Sequence, residues 1–546
     1  MKIYLVGGAI RDKHLGLPVS DRDWLVVGGN EQYFLDKGYE RVGKDFPVFL
    51  HPENSEEYAL ARKERKVAKG YQGFEFEFNE SVTIEEDLIR RDLTINAMAE
   101  DEDGNLVDPF NGMDDLKNRK LRHVSEHFRE DPLRVLRVAR FMARYSKLGF
   151  EIHDETMKLM KEISKSDELE YLSSERILLE MSKAFKEDEP SQFFYVLRKC
   201  GALKKIMPEV DCLFGVRQPK EYHPEIDTGI HVMMTIEQAK KISNGDFNIM
   251  YAALVHDLGK GITPEKMLPN HVGHEENGVP LVEAFSDRLK VSSYAKKLAL
   301  LVTKYHLRCH RSMEMSSKSL YNFLNGIGAF KKDTKICNDL IDACIADARG
   351  RTGFESRPYP QKDYILHIVD FVKKRQKDIN KLSVSKANQA KNDGLIKSNE
   401  LGIEIAKNIC SHTINVISEA KDFLPQKIDT LFSEVKFDLV NFNNLNIEDK
   451  CKLFDKLKVK KSTSLLEEME KRIVSNGGEP LTDIIEKAIA YRNVKGDEFI
   501  EKGLRGKEVG NEINKKRKNI IKSIYSIKKN TILIVFFLLL MLFCEN

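Results

Sequence analysis

Two aspartates one residue apart, Asp21 and Asp23, stand at the mouth of an apolar run in SDRDWLVV. On a strand, residues i and i+2 share a face, so these carboxylates lie side by side and repel unless a cation sits between them. Hard oxygens at that spacing suit Mg²⁺, which takes one or two carboxylates and completes its shell with water and substrate phosphates. Ions held this way activate an attacking hydroxyl and neutralise a leaving pyrophosphate. Two solvated aspartates on an exposed turn would read the same, so the dyad needs company. It has some in LVGGAIRD at 5–12, a Gly-Gly turn after a strand and before a helix. Gly8 lets backbone approach a ligand closely, helix-opening N–H groups favour an anion, and Arg11 one turn on adds a charged fork.

A second set of chemistry-bearing residues lies further along, in GIHVMM (229–234), LVHDLGKG (254–261) and DARGRTG (347–353). His231, the adjacent pair His256 and Asp257, and Asp347 mix imidazole nitrogen with carboxylate oxygen. That donor set suits a transition metal better than Mg²⁺ alone, and a metal there can activate water against a phosphoester. His274 and His306 are further candidates, as ligands or as phosphate contacts.

The elements that must position these groups change character along the chain. Up to residue 122, short β-rich runs alternate with turn signals: KIYLVGG, DWLVVGG, FPVFLHP, EYALAR, FEFEF and LVDPF are the strand candidates. From about Glu126, beginning EDPLRVLRVARFMARY, helical periodicity takes over and persists, with proline breaks near 208, 224, 264, 269 and 357–361. The expectation is an α/β head followed by an all-helical body, without internal repeats. Residues 380–495 are rich in Lys and Asn and are expected to be helical or partly disordered. Residues 501–530 carry ten Lys or Arg against three Glu, a locally basic stretch that can track phosphates or form a solvated face.

With 546 residues, 41% apolar and 32% charged, the chain has room for three or four domains of a globular protein. A net charge of +3 excludes a globally basic nucleic-acid binder, so any basic footprint is local. Cys200, Cys212, Cys309, Cys337, Cys344, Cys410, Cys451 and Cys544 show no CxxC spacing, which fits free thiols in a reducing cytoplasm. The opening MKIYLVGGAIRD lacks a signal-peptide layout, so a cytoplasmic location is expected. The apolar run TILIVFFLLLMLFC at 531–544 falls short of the roughly 18–20 residues of a spanning helix. It reads as a buried terminal helix or an extension, with membrane contact of this tail left open.

LVGGAIRD, SDRDWLVVG, DFPVFLHP, EEYALARKERK, RRDLTINAMA and EDPLRVLRVARF together resemble the class II tRNA nucleotidyltransferases, and more narrowly the bacterial multifunctional CCA-adding enzymes. The similarity runs from residue 1 to about 380 and resumes more weakly at EKGLRGKEVGNEINKKRK; 380–495 and the apolar tail depart from the family pattern. The resemblance implies a nucleotidyltransferase α/β head with a mixed sheet at 1–122 and a helical neck with a base-selecting helix at 123–222. It further implies an HD phosphohydrolase domain at 223–355 and a helical tail at 356–546. It implies Mg²⁺ on Asp21 and Asp23, and nucleotide contacts from Gly8, Arg11, Arg91, Arg137 and Arg140, although any of these arginines could instead hold head to neck in a salt bridge. In the HD domain it implies a divalent metal, nickel or another transition metal, on His231, His256, Asp257 and Asp347.

Asp131 and Arg134, three apart in EDPLR, would face one ligand from one helical turn. A carboxylate only accepts hydrogen bonds and a guanidinium only donates. Cytosine and adenine both place an amino donor beside a ring acceptor, whereas uracil and guanine reverse the order. By resemblance this pair is the protein's own template for C and A, with Glu130 positioning the arginine; an ordinary ion pair is the plainer alternative. The implied reaction is attack of a tRNA 3′-hydroxyl on the α-phosphate of CTP or ATP, with release of pyrophosphate, repeated to build a CCA end. Phosphatase, 2′-nucleotidase and 2′,3′-cyclic phosphodiesterase activities are implied for the HD domain. Two competing readings are a poly(A) polymerase with the same head, and a tRNA-binding HD hydrolase whose head is inactive. Association into a homo-oligomer is left open.

Overall fold

The structure is a computed structural model and describes residues 1–19, 21–42, 48–66, 74–77, 81–393, 395–397, 400–442 and 512; for 64–66, 74–77 and 422–442 it describes the backbone. The expectations for 443–495, for the basic stretch 501–530 apart from Glu512, and for the apolar tail 531–544 lie outside these residues.

The apolar run that begins after Asp23 is a strand buried on both faces. β1 (Lys2–Val6) and β2 (Asp23–Val27) pair antiparallel, with Tyr4 opposite Leu25 and Ile3 opposite Val26. Tyr4, Val6 and Leu25 enter one core with Leu88, Ala97 and Ala99. Val26 enters another with Phe34, Phe49 and Leu60. Continuous bulk, not alternation, is what such a two-faced strand requires. Further strands β3 (Glu40–Val42), β4 (Val48–Leu50) and β5 (Glu57–Leu60) follow, then a separate hairpin of β6 (Lys63–Lys66) and β7 (Phe74–Glu77). β8 (Ala99–Glu100) and β9 (Leu106–Val107) complete a seven-stranded sheet in the order β3-β4-β5-β2-β1-β8-β9. β5 runs parallel to β2 and the other pairs are antiparallel, so the sheet is mixed as expected.

All six strand candidates contain a strand. The sequence reading missed β3, β6 and β8, and also β10 (Lys120–Leu121) and β11 (Glu151–Ile152), a two-residue parallel pair. These are two to four residues long, too short to show a period.

The helix Leu133–Tyr145 leads the all-helical part and packs against Ser174–Ala184 and Ser191–Cys200. Its arginines at 134, 137, 140 and 144 recur at three- and four-residue spacing among buried Val135, Leu136, Val138, Ala139 and Phe141. Helices Thr228–Ser243, Phe247–Val255, His274–Arg288, Ser293–His310 and Lys335–Arg349 follow.

The chain divides into two compact units, residues 1–306 with 338–357, and residues 307–337 with 358–546. Both sets of chemistry-bearing residues fall in the first. In the second, the helices Ser317–Gly326, Pro360–Lys374 and Gln376–Asn392 contact the long helix Leu401–Phe442 or one another. Part of the Lys- and Asn-rich stretch is therefore helical. Among the described residues all six cysteines are free, and no helix is long and apolar enough to cross a membrane.

Candidate active sites

Val6, the last residue of β1, pairs with Asp23, the first of β2. The Gly7–Gly8 turn and the two aspartates therefore meet at one end of the sheet. Gly7 has φ +70°, which side chains avoid. A Cβ on Gly7 would lie 3.1 Å from Nη1 of Arg91, and one on Gly8 3.3 Å from Nη2 of Arg11. Bare backbone is thus laid against two guanidinium groups.

Asp21 and Asp23 are exposed, and strand pairing begins only at Asp23. Although the Asp23 side chain reaches solvent, partial enclosure raises its carboxyl above the usual range; Arg91 opposes this, and the charge of Asp21 adds to it. The two aspartates are thus close enough to repel, with Arg91 the nearby cation. Arg91 pairs with Asp87 at 3.3 Å and donates to the Asn96 carbonyl at 3.4 Å, while its Nε is buried without a hydrogen-bond partner. Two hard carboxylates in mutual repulsion, reachable from solvent, are a donor set that fits Mg²⁺.

The remaining arginines are distributed differently from the expectation. Arg11 lies beneath the turn and does not project from it. It is buried, donates Nε to Asp12 at 2.9 Å and Nη1 to Asn96, and stacks 5.3 Å from the ring centroids of Phe141 and Tyr145. Arg137 donates Nε to Asp92 at 2.7 Å. Arg140 is taken up by Glu180 at 2.8 Å and Glu187 at 3.4 Å.

The helical reading of Asp131 and Arg134 also needs correction. Asp131 has φ −120° and ψ 104°, outside the helix that begins at Leu133. Pro132 is the reason, since its ring excludes the preceding residue from the α region. Oδ1 of Asp131 accepts from the Leu133 N–H at 3.1 Å, and Oδ2 pairs with Nη2 of Arg176 at 2.8 Å. Arg134 donates to the carbonyls of His127, at 2.7 Å, and Arg90. Glu130 pairs with His127, not with the arginine.

Sequence reasoning missed Asp92, although its motif RRDLTINA was in view. Asp92 is buried and accepts from Arg137, from Asn96 at 2.9 Å and from its neighbour's N–H at 2.8 Å. Burial pushes its carboxyl up, but Arg137 and Asn96 outweigh that and hold it well below the usual range. Asn96 in turn holds Arg11, so Asp92 ties the head's glycine turn to the neck helix. Arg176 was missed as well.

The structure brings His231, His256, Asp257 and Asp347 together, with further residues around them. Asp227 caps the helix Thr228–Ser243, accepting from the Ile230 N–H at 3.0 Å, and so fixes the first turn on which His231 sits. His256 and Asp257 follow the helix Phe247–Val255, and Asp347 lies near the end of Lys335–Arg349. Nε2 of His231 is 3.1 Å from Asp347 and 3.7 Å from Asp257. Nε2 of His256 is 3.2 Å from Asp257 and 3.8 Å from Asp347. Asp257 also faces His274 at 3.4 Å and His306 at 3.8 Å. Two triads result, His231–His256–Asp347 and Asp257–His274–His306, each with ligand atoms within 4.8 Å of one another.

The hydrogen bonds around these rings turn one nitrogen of each inward. Nδ1 of His231 bonds the Gly350 carbonyl at 2.9 Å, that of His256 Ala253 at 2.9 Å, and that of His274 His271 at 2.7 Å. Nδ1 of His306 bonds Thr303 at 3.1 Å. A carbonyl requires the proton on Nδ1, which leaves each Nε2 a lone pair for a metal. Nε2 of His256 and Oδ1 of Asp257 are buried without a hydrogen-bond partner, which a bound cation would satisfy, while Oδ2 of Asp257 is ion-paired with Lys260. Burial lowers His274, and pushes His306 down to about 3. Burial would lower His256 too, but Asp257 and Asp347 together raise it. The residues fit a divalent transition metal.

Beyond the expected set, Lys260 lies 2.7 Å from Asp257 and donates to Gln218 at 2.6 Å. Glu225 lies 3.0 Å from His223 and 3.3 Å from Nδ1 of His231. Lys260 was in the quoted LGKG, whereas Glu225 carried no spacing signal.

Residues 3–122 match the family described as poly A polymerase head domain, 149–213 that described as probable RNA and SrmB-binding site of polymerase A, and 228–351 the HD domain. A protein named multifunctional CCA protein from Pseudoalteromonas atlantica is 53% identical over 365 residues, 67% of this chain and 90% of its own length. Another of that name from Pseudomonas fluorescens is 53% identical over 374 residues, 68% of this chain and 91% of its own. Among solved structures, a CCA-adding enzyme in apo form II is similar with a TM-score of 0.51 and 20% identity, covering 77% of this chain and 90% of that one. A CCA-adding enzyme with CTP follows at 0.50 and 20%, covering 78% and 91%. At that identity these two support the fold alone.

Proposed function

The chain belongs to the family of multifunctional CCA proteins, and on that premise we propose which of its residues build the CCA end of tRNA and which hydrolyse phosphate esters. It is a tRNA nucleotidyltransferase that adds CCA from CTP and ATP, and it carries an HD phosphohydrolase domain. The name poly A polymerase attaches to the families matched by residues 3–122 and 149–213, while the relatives matched over about nine tenths of their own length carry the CCA name. The four-part division at 122, 222 and 355 is retained as part of the proposal.

The observation that carries the head assignment is the register of β1 and β2, which sets the glycine turn, Arg91 and the aspartate dyad at one sheet end. A divalent ion on Asp21 and Asp23, which we take to be Mg²⁺, supplies charge neutralisation and acidifies the attacking hydroxyl when bound. Gly7 and Gly8 admit a triphosphate against the backbone, and Arg91 offers its unpaired Nε to it. Arg11 and Arg137 act from beneath, through Asn96 and Asp92, to hold the turn on the neck. Asp131 and Arg134 remain the proposed base template. Their donors and acceptors are engaged by Arg176, His127 and Arg90, so base binding exchanges those contacts for the Watson–Crick edge of C or A.

For the HD domain we propose phosphatase, 2′-nucleotidase and 2′,3′-cyclic phosphodiesterase activity on a nickel or other transition-metal ion. His231, His256, Asp257 and Asp347 would hold that ion, and His274 and His306 close the other side of Asp257. The test is a tRNA transcript lacking its CCA end, incubated with CTP and ATP, beside 2′,3′-cyclic AMP incubated with Ni²⁺. The proposal expects addition of two C and one A in the first and chelator-sensitive hydrolysis in the second. Long A-tails without C would contradict the first assignment, and metal-independent or absent hydrolysis the second.

A further inference from the structure

Arg351 borders the histidine–aspartate cluster and touches it through one loose ion pair. It follows Asp347 by four residues, just past the end of the helix Lys335–Arg349. Gly350 between them gives its carbonyl to His231, which fixes the chain against the site. Nη2 of Arg351 lies 3.7 Å from Oδ1 of Asp347, the same oxygen that faces Nε2 of His231 at 3.1 Å. The first distance is a loose ion pair beyond hydrogen-bond range. Nη1 donates to the carbonyl of Tyr222 at 3.4 Å, a long contact. Nε is buried without a hydrogen-bond partner.

A guanidinium carries five N–H donors in a rigid fork that matches two phosphate oxygens. Here the fork sits beside a metal-facing carboxylate oxygen, with most of its donors poorly used, on a side chain 19% exposed. An arginine that merely braced Asp347 would be expected at hydrogen-bond distance from it and would not leave Nε unpaired. The other cation of the site, Lys260, shows the contrast. It is buried, 2.7 Å from Asp257 and donating to Gln218 at 2.6 Å. The spare donors are on Arg351.

We propose that Arg351 binds the phosphoryl group of the HD domain's substrate, a terminal phosphomonoester or 2′,3′-cyclic phosphodiester of a nucleotide. The proposal rests on the HD site being the hydrolytic centre described above. It makes Arg351 a substrate-binding residue that orients the phosphate, and assigns it no share in metal affinity.

The experiment uses the full-length protein and its Arg351→Gln and Arg351→Lys variants. KM and kcat are measured for 2′,3′-cyclic AMP and for 2′-AMP with Ni²⁺, together with inhibition by inorganic phosphate and Ni²⁺ affinity by calorimetry. Loss of a charge-assisted fork predicts that Arg351→Gln raises KM and the phosphate inhibition constant by about 10- to 100-fold. Ni²⁺ affinity and CCA addition stay at wild-type values, and Arg351→Lys recovers part of the loss for at least one substrate. A rise for one substrate alone identifies which ester the arginine serves. Unchanged KM and phosphate inhibition in Arg351→Gln would overturn the proposal, and so would Ni²⁺ affinity falling in step with KM, which marks a brace on Asp347. Should the wild-type protein neither bind Ni²⁺ nor hydrolyse either ester, the hydrolytic reading itself fails, and Arg351 falls with it.

Discussion

Replacing Asp92 with Asn probes the connection between the glycine turn and the neck. The carboxylate is 6% exposed and accepts three hydrogen bonds, one of them from Arg137 across the head–neck boundary. Asparagine keeps the shape but removes the charge opposite Arg137. Breaking a buried ion pair costs about 3–5 kcal/mol, and losing one charged hydrogen bond about 1.5–3 kcal/mol. The Arg137 side chain is 34% exposed, so water recovers part of its solvation and the expected loss is about 2–3 kcal/mol. That corresponds to a fall in Tm of about 4 °C or more. The pH dependence follows from the direction of the shift. Asp92 is held below its ordinary value of 3.8, so its contribution is complete above that pH and fades only as pH falls further. Wild type and Asp92→Asn should therefore differ fully at neutral pH and converge in strong acid.

The same change loosens Asn96 and, through it, Arg11, so KM for CTP and ATP should rise several-fold with a smaller effect on kcat. A double-mutant cycle with Arg137→Gln, read by thermal unfolding and nucleotide KM, should give a coupling of about 1–2 kcal/mol. An unshifted Tm, or additive effects of the two changes, would refute the reasoning.

Other consequences are independent of that link. Asp257→Asn removes the carboxylate that faces His231 and His256 on one side and His274 and His306 on the other, so metal-dependent ester hydrolysis should vanish in a phosphatase assay while CCA addition persists. Glu225→Gln weakens the orientation of His231 and should reduce Ni²⁺ affinity by about tenfold in calorimetry, as loss of an outer partner of a metal ligand does. Because burial raises Asp23 from its ordinary value, protons compete for it at higher pH than for a free aspartate. The Mg²⁺ concentration for half-maximal nucleotide addition should therefore climb as pH falls, and begin to climb at a higher pH than it would for an ordinary carboxylate.

The sheet was readable from the sequence where bulk was continuous, as in KIYLV and DWLVV, because burial on both faces leaves no other pattern. β8, β10 and β11 were not readable, since a two-residue strand is defined by its partner and not by its own composition. The HD cluster was legible because its types are rare and its spacing distinctive. The proposed template pair was misread in the helical placement of Asp131, because periodicity from Glu126 concealed what Pro132 does to it, and in the partner of Glu130, which is His127. Asp92, Arg176 and Glu225 were out of reach for a different reason. Charged residues are common, and only the fold shows which ones it buries against Arg137, Asp131 and His231.

The most direct test of the whole account is nucleotide addition to a tRNA transcript ending before its CCA, run with wild type, Asp23→Asn and Asp257→Asn. The account predicts that wild type and Asp257→Asn add two C and one A, and that Asp23→Asn, with unaltered thermal unfolding, adds none. Addition at the wild-type rate by Asp23→Asn would remove the aspartate dyad from the chemistry and contradict the account.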